Sequence, residues 1–95
     1  MLSIVLTLRI LPGCEASTEA LLRRMESETL AVDEGCLRYE WHRSDEACTY
    51  VLLQRWADEP ALLAHFKSAR MSALMAECAP LAAERFQATR LTRLG

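Results

Sequence analysis

The sequence has few of the features that point directly to a function. Aromatic residues make up only 6% of the 95 residues, and there are three glycines and three prolines. No apolar run reaches the ~18 residues that a membrane-spanning helix needs. The formal net charge is −2, which does not favour binding to nucleic acid or to an anionic membrane. We therefore expect neither as a partner.

Motifs of well-known chemistry are also missing. There is no phosphate-binding loop, no Gly-x-Ser-x-Gly turn and no His-Glu-x-x-His helix. The four cysteines form no Cys-x-x-Cys pair, and no histidine lies at zinc-ligand spacing from them. We expect no metal site and four free thiols, as is usual in a reducing cytoplasm. Because the first residues lack a basic segment and a small-residue cleavage site, we predict a cytoplasmic protein.

The sequence does contain an apolar share of 52%, which is enough for a small core. The length and the lack of a linker predict a single domain, residues 1–95. Residues 2–11 alternate apolar and mixed side chains, which predicts a strand. Residues 14–32 repeat apolar side chains at helical spacing, with a predicted buried stripe at Thr18, Leu21, Leu22, Met25, Thr29 and Val32. Gly35 lies where a left-handed helix cap is expected.

A predicted hairpin follows, with strands at 36–43 and 48–56 and a polar turn at 44–47. Leu37, Tyr39 and Trp41 are expected to share one face of its first strand. Asp58 and Pro60 then predict the start of a helix. Its apolar side is expected to carry Leu62, Leu63, Phe66 and Ala69. We expect a break in this helical region at 68–70 and a last, weaker strand within residues 84–94.

The predicted order β-α-β-β-α-β is typical of the ferredoxin-like fold, an α+β architecture with a four-stranded antiparallel sheet and helices on one face. The other face would still carry apolar side chains, depending on register, namely Val5, Leu11, Val51, Leu53 and Leu91. An uncovered patch of that kind is a liability for a monomer. We therefore predict a homodimer in which two sheets face each other.

Few side chains could carry chemistry. His65 falls on the shoulder of the apolar side of the later helix, where it could enter a cleft or remain at the surface. Gln54 and Trp56 share a strand face and could hold an aromatic ligand or pack in the core. Tyr39 and Met75 leave the same two readings open. No inward pair of carboxylates is expected for acid–base work, and three acidic residues are predicted to be solvated: Glu34, Glu40 and Glu59.

Two segments carry a family resemblance. The first is GCLRYEW at residues 35–41, and the second is VLLQRWADEPALLAHFKS at residues 51–68. Together they resemble the antibiotic biosynthesis monooxygenase (ABM) family, in which an acidic-Gly-Cys-Leu-x-Tyr segment precedes a strand ending in Glu-x-Trp and a helix with Ala-Leu and His. The matching residues are Glu34, Gly35, Cys36, Leu37, Tyr39, Trp56, Asp58, Ala61, Leu62 and His65.

The resemblance implies a dimeric α+β barrel with a ligand cavity between the sheet and the later helices. It also implies a monooxygenase without a cofactor, acting with dioxygen on a small aromatic substrate such as a quinol or polyphenol. Such a substrate, once deprotonated, can give an electron to dioxygen directly. In this hypothesis His65 is the catalytic residue, which orients or deprotonates a hydroxyl. The substrate-binding candidates are Trp56, Gln54, Tyr39, Arg70 and Met75.

The sequence departs from the family pattern in ways that keep rival functions open. Gln54 stands where the family usually has Glu, and Arg70 stands where a second His is often found. A guanidinium can bind an oxygen but is no base near neutral pH. The haem-degrading branch is disfavoured, because the approximate equivalents of its Asn, Trp and His are Thr7, His65 and Met75. The alternatives are a non-catalytic ligand-binding dimer and a non-redox enzyme, such as an isomerase, on the same fold.

Overall fold

The structure, a computed structural model, describes residues 1–95. Its four strands are β1 (Leu2–Arg9), β2 (Cys36–Arg43), β3 (Thr49–Trp56) and β4 (Gln87–Leu91). Its helices are α1 (Glu15–Val32), α2 (Glu59–Lys67), α3 (Ala69–Cys78) and a short 3₁₀ turn (Ala79–Leu81). The strands form one antiparallel sheet in the order β2-β3-β1-β4. This confirms the predicted α+β ferredoxin-like fold.

The core lies between one face of the sheet and the helices. Alternate residues of β1 and its continuation are buried, as the sequence predicted: Ile4, Leu6, Leu8 and Ile10. In β3 the buried set is Tyr50, Leu52, Gln54 and Trp56, and in α1 it is Thr18, Leu21, Leu22, Met25 and Thr29. The register places Leu6 opposite Leu52 and Ile4 opposite Gln54. None of the helices combines the length and apolar character needed to cross a bilayer.

Three predicted details of the first half differ from the structure. Leu37 does not share a buried face with Tyr39, because a β-bulge between Cys36 and Arg38 leaves Leu37 as an extra residue that is 54% exposed. Val32 is also exposed, since it lies in the last turn of α1 beyond the sheet-facing stripe. Strand β1 ends at Arg9 rather than at Leu11.

Helix α2 buries a narrower stripe than the sequence predicted. Leu62 and His65 are buried, whereas Leu63 and Phe66 are 44% and 50% exposed. The predicted break is confirmed at Ser68, which has an extended backbone, ends α2 and begins α3. The helical region is therefore two helices of nine and ten residues, and the break redirects the chain around His65.

The outer face of the sheet carries no helix. Val5 lies opposite Leu53, and Val51 lies opposite Thr7 on the same face. Leu91, opposite Ser3, is 46% exposed. The apolar patch expected from the sequence is therefore present, although Leu11 lies past the end of β1.

Candidate functional site

Three side chains from three different helix ends meet in one cluster. Asp33 follows the last residue of α1, His65 lies in the last turn of α2, and Arg70 lies in the first turn of α3. Asp33 Oδ2 is 2.5 Å from His65 Nδ1 and 2.5 Å from Arg70 Nη2. Arg70 Nη1 also donates to Thr29 Oγ1 at 3.3 Å. One carboxylate oxygen therefore joins the histidine to the arginine.

The turn after α1 fixes the position of Asp33. Its backbone N–H donates to the carbonyl of Thr29, and its carbonyl accepts from the N–H of Cys36. This tight turn needs a positive φ at Gly35, which has φ +81°. The carbonyl of Gly35 then accepts from Ala57 at 2.8 Å. Because the turn is bonded to the end of β3, Asp33 is held against the later helices.

Ser68 fixes the positions of His65 and Arg70. Its hydroxyl donates to the carbonyl of His65 at 2.8 Å and accepts from the N–H of Met71 at 3.1 Å. It therefore ends one helix and caps the next. The break places the end of α2 and the start of α3 side by side, so that His65 and Arg70 both reach Asp33.

The charge state of the cluster follows from burial and hydrogen bonding. The His65 side chain is 1% exposed. Burial lowers its pKa, and the hydrogen bond with Asp33 opposes this shift without reversing it. Burial alone would raise the pKa of Asp33, but the hydrogen bonds from Arg70 and His65 hold it below its usual range. The pair is therefore a neutral imidazole beside an ionised carboxylate.

The tautomer of His65 follows from its partner. An ionised carboxylate can only accept hydrogen bonds, so Nδ1 carries the proton and donates it to Asp33. The other ring nitrogen, Nε2, is then unprotonated, and the only side-chain hydrogen bond of His65 is the one through Nδ1. Three aromatic rings surround the imidazole, with centroids 4.7 Å away for Trp56, 5.4 Å for Tyr39 and 5.5 Å for Phe66. This arrangement leaves an unprotonated ring nitrogen among aromatic rings, which is the chemical form that a general base requires.

A small cavity of about 40 Å³ adjoins His65, between the sheet and the two later helices. Eleven of its thirteen lining residues are hydrophobic, and the other two are Gln54 and His65. At ~10–15 Å³ for each water position, it has room for a few waters or a diatomic molecule. Ligand pockets are usually ~300–1,000 Å³, so this cavity is too small for an aromatic ring.

The structure brings four of the six predicted site residues to this cavity. They are His65, Gln54, Tyr39 and Met75. Trp56 does not line it; the residue is fully buried, and its indole N–H donates to Gln54 Oε1 at 2.8 Å. Arg70 does not line it either, because its guanidinium is bound to Asp33 and Thr29. Trp56 and Arg70 therefore contact other side chains of the site and not the cavity.

Two further residues of the site were not among the predicted ones. Asp33 orients His65, yet in the sequence it is one acid next to Glu34 at a helix end, with nothing to show that it points inward. Trp41 lines the cavity, and its indole Nε1 is buried without a hydrogen-bond partner. The available sequence signal is the alternation that places Trp41 on the same strand face as Tyr39.

A larger cleft, of about 250 Å³, lies between α1 and β2. Arg43 donates two hydrogen bonds to Glu19 there, and the hydroxyl of Tyr50 donates a third at 2.8 Å. These bonds, from Arg43 first and Tyr50 second, lower the pKa of Glu19 to about 2. These hydrogen bonds between Glu19, Arg43 and Tyr50 join α1 to the hairpin of β2 and β3. Nowhere do three His, Cys, Asp or Glu side chains lie close enough to hold a metal ion.

Comparison with solved structures finds the same fold at nearly full length. A protein from Caulobacter crescentus, whose assignment as an antibiotic biosynthesis monooxygenase is provisional, is 26% identical with a TM-score of 0.94, covering 99% of this chain and 90% of that one. Rv0793 from Mycobacterium tuberculosis is 23% identical with a TM-score of 0.89, covering 99% and 95%. PA3566 from Pseudomonas aeruginosa is 22% identical with a TM-score of 0.88, covering 99% and 94%. The last two proteins are 22% and 23% identical to this chain, so they support a shared fold and nothing more.

Sequence comparison identifies the family. No curated protein sequence matches this chain significantly. The sequence pattern of the antibiotic biosynthesis monooxygenases matches residues 1–77, which include Asp33, His65, Arg70 and most of the cavity wall. The chain therefore belongs to the antibiotic biosynthesis monooxygenase family.

Proposed function

We propose that this protein is a cofactor-independent monooxygenase that acts with dioxygen on a quinol or polyphenol-type aromatic substrate. The observation that carries the proposal is the free Nε2 of a buried, neutral His65, oriented by Asp33, at the wall of an apolar cavity. Family membership supports it. An apolar cavity with one base suits a substrate that needs only deprotonation before it reacts with dioxygen.

The proton step belongs to His65. Nε2 takes a proton from a substrate hydroxyl, and the ring becomes an imidazolium. Asp33 stabilises that cation through Nδ1, and Arg70 keeps Asp33 ionised in the meantime. Gln54 cannot supply a carboxylate where the family usually has one, so in this proposal the Asp33–His65 pair provides the base.

The electron balance needs no external reductant. The deprotonated quinol transfers an electron to dioxygen, and the resulting pair recombines to form a carbon–oxygen bond. One oxygen atom stays on the ring, and the other leaves as water with the two hydrogens that the substrate loses. The quinol therefore becomes a hydroxylated quinone, and the imidazolium of His65 supplies a proton for the departing oxygen.

Other residues of the cavity have binding roles in this proposal. The carbonyl oxygen of Gln54 accepts from Trp56, which leaves the amide N–H groups of Gln54 to donate to a substrate oxygen. The unpartnered indole N–H of Trp41 is a second donor. Burial raises the pKa of the Tyr39 phenol, so Tyr39 is neutral and forms part of the wall with Met75. Trp56 and Arg70 support His65 and Asp33 instead of the substrate.

Oxygen uptake with a panel of reduced quinones tests the proposal. We expect consumption above the buffer rate, with a hydroxylated quinone as product, and a loss of about a hundredfold in His65→Gln, since general bases contribute roughly 10²–10⁴-fold. Leu63→Ala, on the exposed side of α2, is the matched control with an unchanged rate. Uptake at the buffer rate for every quinol, or an unchanged rate in His65→Gln, would count against it.

The same pair of residues also favours a second candidate, a non-redox proton transfer such as isomerisation. Nothing in the Asp33–His65 arrangement requires dioxygen, because it moves a proton only. Product analysis under nitrogen distinguishes the two functions. A product formed without dioxygen identifies an isomerase, while ligand binding without any product identifies a binding protein.

We further propose that the protein is a cytoplasmic homodimer, as the free cysteines and the uncovered sheet indicate. Val5, Val51 and Leu53 form a strip on the outer face, with Leu91 beside it. Charged residues of β2 and β3 flank the strip, including Arg38, Glu40 and Arg55. An apolar centre with a charged rim is the usual composition of a protein interface.

A further inference from the structure

The cavity beside His65 shares a wall with a second space. An open groove of about 360 Å³ lies outside it, between α3 and the segment that leads into β4. Four residues line both spaces, namely Leu8, Met75, Cys78 and Phe86. The groove alone falls within the ~300–1,000 Å³ of ligand sites. The inner cavity has the base but lacks the volume, whereas the groove has the volume but lacks the base.

Phe86 and Met75 are the two exposed members of this wall, and Phe86 alone lies outside the helices and strands. The two residues are 36% and 37% exposed, whereas Leu8 is in the core of β1 at 2% and Cys78 is buried in α3 at 7%. The backbone of residues 84–86 lies outside the strands and makes no backbone hydrogen bond. The chain is fixed on both sides, because Ala83 donates to Arg9 and Gln87 pairs with Thr7. Turning Phe86 outward therefore breaks no backbone bond.

We propose that Phe86 is a specificity-determining residue: when its ring turns aside, the cavity and the groove become one site, and its bulk limits the size of the ring system that reaches His65. This deepens the proposed function and rests on it for the identity of the substrate. A ring enters through the groove, and its hydroxyl points to Nε2 of His65. Met75, a flexible side chain at the same wall, adapts to the ring.

Alkylation of Cys78 tests, without any substrate, whether the Phe86 ring separates the cavity from the groove. Cys78 lines both spaces but is only 7% exposed, so N-phenylmaleimide reaches its thiol when the Phe86 ring turns aside. Peptide mass spectrometry separates its rate from that of Cys14. We expect Phe86→Ala to raise the Cys78 rate about tenfold and Phe86→Trp to lower it, with the Cys14 rate unchanged. Leu63→Ala, which lines neither space, is the matched control. An unchanged Cys78 rate in Phe86→Ala, or an equal rise in the control, would overturn the proposal.

Ring size tests the specificity role under nitrogen, where no oxygen chemistry occurs. Calorimetry gives the dissociation constants of 1,4-dihydroxybenzene and 1,4-dihydroxynaphthalene. We expect Phe86→Ala to shift their ratio at least tenfold towards the larger probe, whereas Phe86→Leu shifts it less. An unchanged ratio, or no binding of the larger probe to Phe86→Ala, overturns the role. A shifted ratio in a protein that takes up no oxygen defeats only the proposed oxygenase function.

Discussion

At His65, burial and a neighbouring carboxylate act in opposite directions on one pKa. Burial wins, so the imidazole stays neutral although it is bonded to Asp33. Arg70 is the third member of this cluster. Its hydrogen bond to Asp33 helps to keep that carboxylate ionised. Its positive charge also lowers the pKa of His65, in the same direction as burial. Arg70 therefore contacts Asp33 and does not line the cavity.

Asp33→Asn removes the charge that joins His65 and Arg70. We expect the free energy of unfolding to fall by roughly 2–3 kcal/mol, in line with the loss of a charge-assisted hydrogen bond. The side chains of Asp33 and Arg70 are each less than 20% exposed, so water screens this bond little. Urea denaturation measures it. Asp45→Asn, at an exposed position of the hairpin turn, is the matched control with no change. Equal stability of the two variants would contradict the role given to Asp33.

Stability is expected to fall on acidification in two steps. In the folded state the pKa of His65 lies below the ordinary value of 6.5, so the unfolded chain binds the extra proton below about pH 6.5 and unfolding becomes easier. The lowered pKa values of Asp33 and Glu19 add a second loss below about pH 4. Denaturation midpoints between pH 8 and pH 3 show both steps. In His65→Gln the first step is expected to shrink while the second remains, and an unaltered first step would assign it to another group.

At the scale of the elements, the site depends on where α1 and α2 end and where α3 begins. The turn after α1 brings Asp33 inward, and Ser68 separates α2 from α3 so that His65 and Arg70 converge on it. Gly35 lets the turn approach α2 closely, since a Cβ there would lie 2.7 Å from Cβ of Ala61. The packing of this turn against α2 sets the geometry of the base.

Gly35→Ala compared with Gly13→Ala separates backbone strain from contact. Both residues have positive φ, but no atom lies within 4 Å of a Cβ at Gly13. We expect Gly13→Ala to cost roughly 1–2 kcal/mol of unfolding free energy from strain alone. Gly35→Ala is expected to cost roughly 1–3 kcal/mol more because of the clash with Ala61. Thermal and urea unfolding of the two variants measure the difference, and equal losses would show that the close approach is unimportant.

The elements could largely be predicted from the sequence, because periodicity, Pro60 and the break at Ser68 are local signals. What could not be predicted depends on contacts between distant segments. The bulge at Leu37 changes the faces of β2 without a Gly or Pro to mark it. Asp33 becomes a site residue only when the end of α1 meets α2. Trp56 lies outside the cavity wall, and its N–H donates to Gln54 two residues earlier, a geometry that alternation alone does not show.

At the scale of the whole molecule, one face of the sheet is covered by helices and the other is open. The open face carries Val5, Val51 and Leu53 at its centre. Burial of apolar surface contributes about 25 cal/mol per Å², so pairing two such faces is favourable. A dimer formed in this way leaves the helix side, with His65 and Phe86, facing away from the interface.

Leu53→Glu places a charge at the centre of that face, beside Val5. We expect the wild-type protein to sediment as a dimer at micromolar concentration and Leu53→Glu as a folded monomer, because an unpaired charge in an apolar interface is strongly unfavourable. Leu94→Glu, at a fully exposed position, is the control that stays dimeric. A wild-type monomer at micromolar concentration, or a dimeric Leu53→Glu variant, would contradict an interface through this face.

The central claim is that His65 is a neutral base whose Nδ1 is protonated and whose Nε2 is free. Nitrogen-15 NMR of the histidine rings tests it directly, with His42→Gln and His65→Gln to assign the two signals. At pH 7 we predict that His65 is neutral, with its proton on Nδ1, and that it titrates below pH 6.5. A proton on Nε2, or an imidazolium at pH 7, would contradict the account.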